Sequence, residues 1–286
     1  MKELLLLIKE RVNRNEPVVL VTITESSGST PRGKGARMLV GKGTDGTFVR
    51  LWGSIGGGLP EHLAIEEAGK LLQTCISGPG PAGGLIRKYA LHPAEAADLG
   101  ARCGGEISVS FRHVEAGGDG FLEELENEIV SRGFVYIFGG GHISQELLPL
   151  LVRLDFRCVV FDDREEFSKP DLFPGAEKVI LGDFKNIQKH ITLTEKDYAV
   201  ILTRGHLWDL EAFSFALESP ANYIGVIGSK SKHEFVRGQL LERGFGQELI
   251  SAARVHAPIG LKINSDTPAE IAVSIAAELI MCRARL

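Results

Sequence analysis

The spacing of hydrophobic residues changes about halfway along the chain. In the second half, short continuous apolar runs alternate with polar or helical segments. These runs are VYIF (135–138), RCVVFD (157–162), KVIL (178–181), YAVILT (198–203) and YIGVIG (223–228). Continuous apolar runs are typical of buried parallel strands, and a regular strand–helix order is typical of a doubly wound sheet. The pattern predicts a Rossmann-like α/β domain over residues 133–286.

The first half has a different pattern, which predicts a mixed α+β domain over residues 1–114. MKELLLLIKERV has the spacing of an amphipathic helix, and PVVLVTIT (17–24) is typical of a strand that ends in the loop ESSGSTPRGKGAR. Two strand-like runs in MLVGKGTDGTFV, a helix after GSIGGGLP, and the strands LIRKYAL and GEISVSFRHV follow. The acidic segment FLEELENEIVSR then predicts a connector helix within residues 115–132.

Composition and charge narrow the class of protein. Of the 286 residues, 44% are hydrophobic and 24% charged, which is ordinary for a globular protein. The net charge of −5 gives no general attraction for nucleic acid or an anionic membrane, and no apolar run approaches the roughly 18 residues of a membrane span. The four cysteines, Cys75, Cys103, Cys158 and Cys282, form no CxxC pair. Such spacing favours a reducing cytoplasm, so we expect a cytoplasmic protein that binds neither nucleic acid nor membranes.

Three glycines follow the first strand of the second half. Gly139, Gly141 and Ser144 occupy the three small-residue positions of the GxGxx(G/A) pattern. Gly140 lies between the two glycines, and His142 follows the second. Glycine permits the tight turn and the close approach of a pyrophosphate, and the start of the following helix favours an anion. The stretch therefore predicts a nucleotide-binding loop. A Rossmann-like domain that has lost its ligand is the alternative.

The second strand of this half ends in Asp162 and Asp163. Asp162 follows Gly139 by 162 − 139 = 23 residues, and an acidic residue about 20 positions after the first glycine typically accepts a hydrogen bond from a ribose hydroxyl. This spacing makes NAD(P) a candidate cofactor. However, the sequence has no Tyr-x-x-x-Lys pair and no obvious catalytic His–Asp pair, one of which hydride transfer would need to polarise a carbonyl or hydroxyl.

Polar and glycine residues also follow the later strands, at the edge where α/β sheets bind ligands. The candidates are Arg204, His206 and Asp209 after the fourth strand, Gly228, Ser229, Lys230 and Lys232 after the fifth, Pro258, Ile259 and Gly260 in a loop, and Thr267 at the start of the last helix. We expect the lysines to contact phosphate, the loop to close over the cleft, and His206 and Asp209 to share a helix face. The alternatives are an ordinary loop histidine, solvated lysines and a helix cap at Thr267.

The first half contains two further glycine-rich loops with polar neighbours. The candidates are Ser27, Arg32 and Lys34 in SSGSTPRGKGAR, and Gly56, Gly57, Gly58 and Glu61 in GSIGGGLPEH. Arginine forks and exposed backbone N–H groups suit phosphates and oxo-anions. A hairpin loop with solvated charges and a tight packing turn are the alternatives.

Three stretches taken together resemble the XdhC/CoxI family, whose members are maturation factors of xanthine dehydrogenase and related molybdenum hydroxylases. They are VTITESSGSTPRGKGARMLV, GSIGGGLPEHLAIEEA, and YIGVIGSKSK with HAPIGLKINSDTPAEIAVSIAAELI. The resemblance runs from about Pro17 to Ile280, in both halves and in the same order. The chain departs from the family at Leu59-Pro60, where a small residue or cysteine is frequent, and at Asn264, where glycine is common.

The resemblance implies a carrier rather than an enzyme. Such a protein binds molybdenum cofactor, in its molybdopterin or its dinucleotide form, while a cysteine desulfurase supplies sulfur, and then inserts it into an apo-enzyme of the xanthine dehydrogenase type. A homodimer is also implied. Cys103, in a CGG stretch that the family shares, becomes a candidate molybdenum ligand, because thiolates suit such metals. The alternatives are an NAD(P)-dependent oxidoreductase and a scaffold that bridges the desulfurase and the apo-enzyme with an empty cleft.

Overall fold

The fold is described from a computed structural model. The structure describes residues 1–75, 85–90, 105–115, 120–130 and 132–283. The chain divides into two compact units, Met1–Ile129 and Val130–Leu286.

Unit 1 contains an antiparallel sheet in the order β3-β2-β1-β5-β4 with helices on both faces. Its elements are α1 (Lys2–Asn13), β1 (Val18–Gly28), β2 (Arg37–Lys42), β3 (Phe48–Gly53), α2 (Gly58–Cys75), β4 (Leu85–Ala90), β5 (Gly105–Val114) and α3 (Phe121–Val130). The predicted α+β class is confirmed for this unit.

The central strand β1 is buried on both faces, which explains its continuous apolar run. Val19 and Val21 pack in a cluster with Ala68 and Leu72 of α2. Val18 and its alternate neighbours face the opposite way, toward the apolar sides of α1 and α3. Because side chains alternate along a strand, a strand between two helical layers must be apolar at consecutive positions.

The loop predicted to begin after residue 24 begins later, since β1 continues through Gly28. Ser27 pairs with Glu106, and Gly28 pairs with Gly105 on β5. The two backbones come close here, because a Cβ atom on Gly105 would lie 2.5 Å from the Ser27 carbonyl oxygen. Glycine in a strand often marks such an approach, and it lets this polar stretch remain paired.

Unit 2 contains a six-stranded parallel sheet in the order β11-β10-β9-β6-β7-β8. Its elements are β6 (Phe134–Phe138), α4 (His142–Arg153), β7 (Arg157–Asp162), β8 (Lys178–Leu181), β9 (Tyr198–Ile201), α5 (His206–Glu218), β10 (Tyr223–Val226), α6 (Lys230–Glu242), α7 (Gln247–Ile250), β11 (Val255–His256) and α8 (Pro268–Arg283), with short 3-10 helices at Glu165–Phe167, Pro170–Leu172 and Phe184–Lys189. This is the doubly wound order, which reverses direction between β6 and β9. The predicted Rossmann-like sheet is confirmed.

Helices cover both faces of the parallel sheet. Leu148 and Leu151 of α4 pack with Ile275 and Leu279 of α8 on one face, and α5 and α6 pack on the other. All six strands run the same way, so the loops that follow them meet at one edge, where the predicted site residues lie. In the part of the chain that the structure describes, no helix has both the length and the apolar character to cross a membrane.

Two leucines of α1 provide a test of this packing. Leu4 is 0% exposed and Leu6 is 66% exposed. Leu4→Ala should lower the free energy of unfolding by about 2–5 kcal/mol, because it leaves a cavity in the core. Leu6→Ala should change it by less than about 0.5 kcal/mol. Urea unfolding followed by circular dichroism measures both, and equal losses would contradict the described burial of α1.

Candidate functional site

The first two glycines of the loop between β6 and α4 are required by packing. Gly139 has a φ of +108°, and a Cβ atom on it would lie 2.5 Å from the carbonyl oxygen of Leu202. A Cβ atom on Gly140 would overlap the carbonyl oxygen of Phe167. Any side chain at either position would displace the backbone of a neighbouring segment, so these glycines shape the loop.

Gly141 is different, because neither its packing nor its backbone requires glycine. It precedes the first turn of α4 with a φ of −69°, which any residue adopts, and a Cβ atom on it would have no described atom within 4 Å. The first N–H groups of a helix have no acceptor within the helix, and no described side chain caps those of α4. Glycine here leaves space in which an anion can approach these groups.

Two side chains of α4 donate hydrogen bonds to the glycine loop between β6 and α4. The Ser144 hydroxyl is fully buried and donates to the Gly139 carbonyl oxygen at 2.5 Å. The amide Nε2 of Gln145 donates to the Gly140 carbonyl oxygen at 3.1 Å. The small residue at the third position of the glycine pattern therefore bonds directly to the first glycine.

Asp162 is a structural clasp between the end of β7 and the glycine loop. Its Oδ2 accepts from the Gly140 N–H at 2.7 Å and from Nη2 of Arg164 at 2.9 Å. Its Oδ1 accepts from the backbone N–H and from Nε of Arg164, both at 2.9 Å. Burial acts to raise the pKa of Asp162, but these hydrogen bonds outweigh it and hold the pKa below its usual range.

The carboxylate of Asp162, which the sequence predicts to accept from a ribose hydroxyl, already accepts from donors within the protein. The side chain is 1% exposed, and a carboxylate has about four lone-pair sites. The donors of Gly140 and Arg164 occupy four positions. The sequence pattern placed an acidic residue correctly at the end of β7, but its partners are within the protein.

Asp163 and Arg204 form a second ion pair at the same edge. The Arg204 Nη2 lies 3.1 Å from Oδ2 of Asp163, which links the segments after β7 and β9. Burial is the main cause that raises the pKa of Asp163; Asp162 adds to the rise, and Arg204 opposes it. The Arg164 guanidinium also lies 3.8 Å above the ring of Phe167. Two acidic and two basic groups therefore balance beside the glycine loop.

His206 and Asp209 have different neighbours, although both lie in the first turn of α5. Asp209 is fully buried, accepts from the Thr203 hydroxyl at 2.6 Å and forms an ion pair with Lys232. Burial raises the pKa of Asp209, against the effects of Lys232 and Thr203. His206 is exposed, and the centroid of its ring lies 5.6 Å from the centroid of the Phe235 ring. The expected shared role is not supported by a direct bond between them.

The segment before α5 repeats the open geometry of Gly141. Gly205 precedes the first turn, no described side chain caps that turn, and a Cβ atom on Gly205 would have no described atom within 4 Å. Gly205, His206 and the exposed ring of Phe235 therefore form a second accessible wall at the carboxyl edge of the sheet. No sequence motif points to Phe235, and the signal for Gly205 is a glycine directly before a helix.

The residues after β10 lie in two places: some stabilise the start of α6, and others line a neighbouring groove. Gly228 has a φ of +150°, and the Ser229 hydroxyl caps α6 by accepting from the Lys232 N–H at 3.3 Å. Of the two predicted lysines, Lys232 is engaged by Asp209. Lys230 is exposed and lines a groove of about 370 Å³, together with Pro258.

The loop that the sequence predicts to close over the cleft packs on β10 and α8 of unit 2. Ile259 is buried and packs across Gly225 of β10, and the N–H of Gly260 donates to Glu278 of α8 at 2.8 Å. Pro258 remains exposed. Thr267 forms a capping box with Glu270: the Thr267 N–H donates to the glutamate, and the Glu270 N–H donates to the Thr267 hydroxyl.

In unit 1, the second glycine loop surrounds a carboxylate of its own. Glu61 is 7% exposed, and its Oε2 accepts from the hydroxyl of Ser54 and from the N–H groups of Ile55 and Gly57, at 2.6, 3.1 and 3.0 Å. Burial acts to raise the pKa of Glu61, but these bonds and the nearby Arg50 lower it overall. The two N–H groups therefore already have an anionic acceptor.

The loop that carries Arg32 lies beside the Glu61 loop, since a Cβ atom on Gly56 would lie 3.7 Å from the Arg32 backbone nitrogen. Ser27, Arg32 and Lys34 are exposed in and after the end of β1, and Gly56 and Gly58 both have positive φ values in the Glu61 loop. The candidate metal ligand Cys103 lies outside the described residues. Within the described ranges, no group of three or more His, Cys, Asp or Glu side chains is arranged to hold a metal ion.

Comparisons with known proteins identify both halves of the chain. A family model described as the XdhC Rossmann domain matches residues 135–279, and a model described as the XdhC and CoxI family matches residues 12–78. The first model covers about half of the chain and coincides with the parallel sheet of unit 2. The resemblance inferred from the sequence is confirmed.

Individual relatives agree with the family models. The uncharacterized protein YqeB of Escherichia coli K12 is 31% identical over 271 residues, which cover 94% of this chain and 44% of YqeB. A protein of Bacillus subtilis 168, named as a probable xanthine dehydrogenase subunit, is 29% identical over 150 residues, or 52% of this chain and 43% of that protein. The aligned regions thus cover less than half of either relative.

A solved structure shows the same fold over nearly the whole chain. It is a crystal structure described as a xanthine dehydrogenase from Bacillus halodurans, with a TM-score of 0.78 and 23% identity. The match covers 99% of this chain and 96% of that one.

The Asp162 clasp predicts a stability loss that depends on pH. Asp162→Asn should lower the free energy of unfolding by about 1–3 kcal/mol at pH 7, because Gly140 and Arg164 lose an ionised acceptor, while Asp163 remains 3.9 Å from Nε of Arg164. The lowered folded-state pKa stabilises the protein above the unfolded value of about 3.9, and this stabilisation is lost as the pH falls through the folded value. The difference between wild type and variant should therefore shrink below about pH 4.

Urea unfolding at a series of pH values measures this difference. Asp171→Asn is the matched control, since Asp171 is exposed on a 3-10 helix of the same unit. The control should remain within about 0.5 kcal/mol of wild type. A loss for Asp162→Asn that is equally large at pH 3 and pH 7 would contradict the clasp.

Proposed function

Since the chain belongs to the XdhC and CoxI family, we propose that it is a maturation factor for a molybdenum hydroxylase of the xanthine dehydrogenase type. In this role it binds molybdenum cofactor as cargo, keeps it while a cysteine desulfurase supplies sulfur, and transfers it to the apo-enzyme. The name of the Bacillus subtilis relative supports this class of client. Action in the cytoplasm, as a homodimer, is part of the proposal.

The open space at Gly141 is the observation that carries the proposal. A phosphate has room to approach the uncapped first turn of α4, because Gly141 presents no side chain there. Both forms of the cofactor have a phosphate, and helix N-termini favour anions. With a net charge of −5, the chain has no general attraction for such a ligand, so capture depends on local N–H groups of this kind.

The part of the cofactor beyond its phosphate would meet the wall formed by Gly205, His206 and Phe235. An exposed imidazole and an exposed phenyl ring can pack against a flat heterocycle, and Gly205 leaves room for it. When bound, the cofactor would supply the molybdenum centre that the client needs. The residues of this chain would bind it, orient it and release it, and no chemical turnover is required of them.

The clasp of Asp162 separates this proposal from a nicotinamide-dependent oxidoreductase. Such an enzyme uses the acidic residue at the end of the second strand to bind the ribose. Here that carboxylate already accepts from Gly140 and Arg164 and is 1% exposed. Recruiting it for a ribose would break bonds that hold the glycine loop, which disfavours NAD(P) relative to a ligand bound mainly through phosphate.

Filling the space at Gly141 tests the proposal directly. The purified protein is mixed under anaerobic conditions with released molybdenum cofactor and separated by gel filtration. The protein peak is then assayed for molybdenum and for oxidised-pterin fluorescence. Wild type should retain close to one cofactor per chain, and Gly141→Trp should retain less than about one tenth of that, because the indole excludes the phosphate from α4.

Gly246→Trp is the matched control for steric bulk. Gly246 also precedes a helix, has a φ of −68°, and would place its Cβ in open space. This variant should bind as wild type does. Loss of binding in both variants, or in neither, would overturn the assignment to Gly141.

Titration with NAD⁺ and NADP⁺ distinguishes the two alternative functions, an NAD(P)-dependent oxidoreductase and a scaffold with an empty cleft. Micromolar binding of either nucleotide, without retention of molybdenum cofactor, would establish the oxidoreductase alternative. No binding of any of these ligands, with client maturation intact in Gly141→Trp, would establish a scaffold instead of a carrier.

A further inference from the structure

A second cluster of reactive side chains lies in unit 2, where β10, β11 and α8 meet. Its members are Tyr223, His256, Glu278 and Cys282. The Sγ atom of Cys282 lies 3.9 Å from Nε2 of His256, and Nδ1 of His256 lies 3.1 Å from Oε1 of Glu278. Nothing in the proposed carrier function uses these groups, and their chemistry does not depend on that function.

Glu278 is fixed as the anionic end of the cluster. Its Oε2 accepts from the Tyr223 hydroxyl at 2.5 Å and from the Gly260 N–H at 2.8 Å, while Oε1 faces His256. Burial acts to raise the pKa of Glu278, but the bonds from His256, Tyr223 and Gly260 outweigh it and lower the pKa. The carboxylate therefore presents Oε1 to the imidazole of His256 as a fixed hydrogen-bond partner.

The orientation of His256 is determined by two contacts. Nδ1 is directed at Glu278, and the ring stacks on Tyr223 with centroids 4.6 Å apart. Nε2 is then left facing the thiol of Cys282. A nucleophile within reach of a base, and a third group that orients the base, is the general arrangement for activating a thiol.

Exposure limits what can reach the thiol. Cys282 is 8% exposed, and the His256 side chain is 19% exposed. A protein-sized reagent cannot meet a sulfur atom with so little surface, whereas a molecule of two heavy atoms can. A metal ion is not indicated either, because these groups are not arranged to hold one among the described residues.

From this geometry we propose that Cys282 is a peroxide-reactive thiol activated by His256 and Glu278. The Cys282 proton passes to His256 Nε2, and the thiolate attacks one oxygen of hydrogen peroxide. The S–O bond forms as the O–O bond breaks, so sulfur is oxidised to the sulfenic acid and peroxide is reduced. The leaving hydroxide takes the proton from His256 and departs as water.

The second described cysteine of unit 2 is an internal comparison. Cys158 lies in β7, is 0% exposed, and its Sγ contacts the Phe156 carbonyl oxygen at 3.9 Å. A backbone carbonyl cannot accept a proton as imidazole can. Both thiols belong to the same folded unit, so their relative rates do not depend on protein concentration or global stability.

Among the residues that the structure describes, the other titratable groups near the thiol do not titrate in the neutral pH range. Tyr223 on β10 and Tyr198 on β9 both have pKa values raised, mainly by burial, so they remain neutral below pH 9. Arg283, next along α8, donates to the Leu154 carbonyl oxygen and stays charged. A change of rate between pH 6 and pH 8 therefore reports on the thiol and imidazole pair.

The experiment measures sulfenic acid formation at each cysteine of the full chain. Protein is exposed to hydrogen peroxide between pH 6 and pH 8.5, excess peroxide is removed with catalase, and the chain is then unfolded in urea with dimedone, so that the trap reaches the sulfenic acid. The labelled peptides are quantified by mass spectrometry. We expect Cys282 to be labelled at least about tenfold faster than Cys158, and its rate to change less than about threefold over this range, because the imidazole beside the sulfur accepts the thiol proton.

Variants separate activation from mere exposure. His256→Phe keeps an aromatic ring on Tyr223 but has no base, so its Cys282 rate should fall about tenfold per pH unit below the ordinary thiol pKa of about 8.5. Glu278→Gln should give an intermediate profile. Circular dichroism confirms that each variant is folded.

The pH dependence of the wild-type Cys282 rate tests the proposal even if a variant does not fold. A wild-type Cys282 rate that falls tenfold per pH unit below 8.5, or that equals the Cys158 rate, would overturn the proposal. An unchanged flat profile in folded His256→Phe would overturn the role of the imidazole. None of these outcomes depends on whether the glycine loop binds molybdenum cofactor.

Discussion

The rest of the candidate site depends on the buried carboxylate of Asp162. It joins the end of β7 to Gly140 through one hydrogen bond and is itself neutralised by Arg164. An ionised group with 1% exposure is tolerable only when its charge is paired and its lone pairs are satisfied. Because these conditions are met inside the protein, the glycine loop is held in place before any ligand arrives.

This arrangement leaves the start of α4 as the open part of the loop. Gly139 and Gly140 pack against neighbouring backbone, and the Ser144 hydroxyl donates to the Gly139 carbonyl oxygen. Of the three glycines in this loop, only Gly141 leaves accessible space where a side chain is absent. The loop of unit 1 shows the contrast, since there Glu61 accepts from Ile55 and Gly57 and acts as the anion. Similar glycine-rich sequences therefore hold an internal carboxylate in one unit and an open helix start in the other.

The sequence predicts the architecture well where burial controls the pattern. The runs that became β6 to β10 are apolar because both faces of the parallel sheet are covered, and the glycine loop follows from its spacing. The sequence is less informative about β1, whose polar end stays paired only because Gly105 permits close approach. No local pattern shows that two backbones meet there.

The partners of polar side chains are harder to predict than the elements that carry them. The spacing of Asp162 is the same whether it faces a ribose or Arg164, although an arginine two residues later was an available signal. Lys232, and not Lys230, reaches Asp209, because the direction of α6 selects between them. Glu278 and Cys282 are four apart on one helix and share a face, but His256 joins them from a strand that is distant in sequence.

The carboxylate of Glu278 connects the cluster around Cys282 to the loop that follows β11. Glu278 holds both His256 and the N–H of Gly260, and Gly260 closes against Ser274 so tightly that a Cβ atom would not fit. A thiol oxidised beside His256 gains an oxygen that the packed interface has little room to accept. The same carboxylate therefore contacts both the imidazole beside Cys282 and the loop that follows β11.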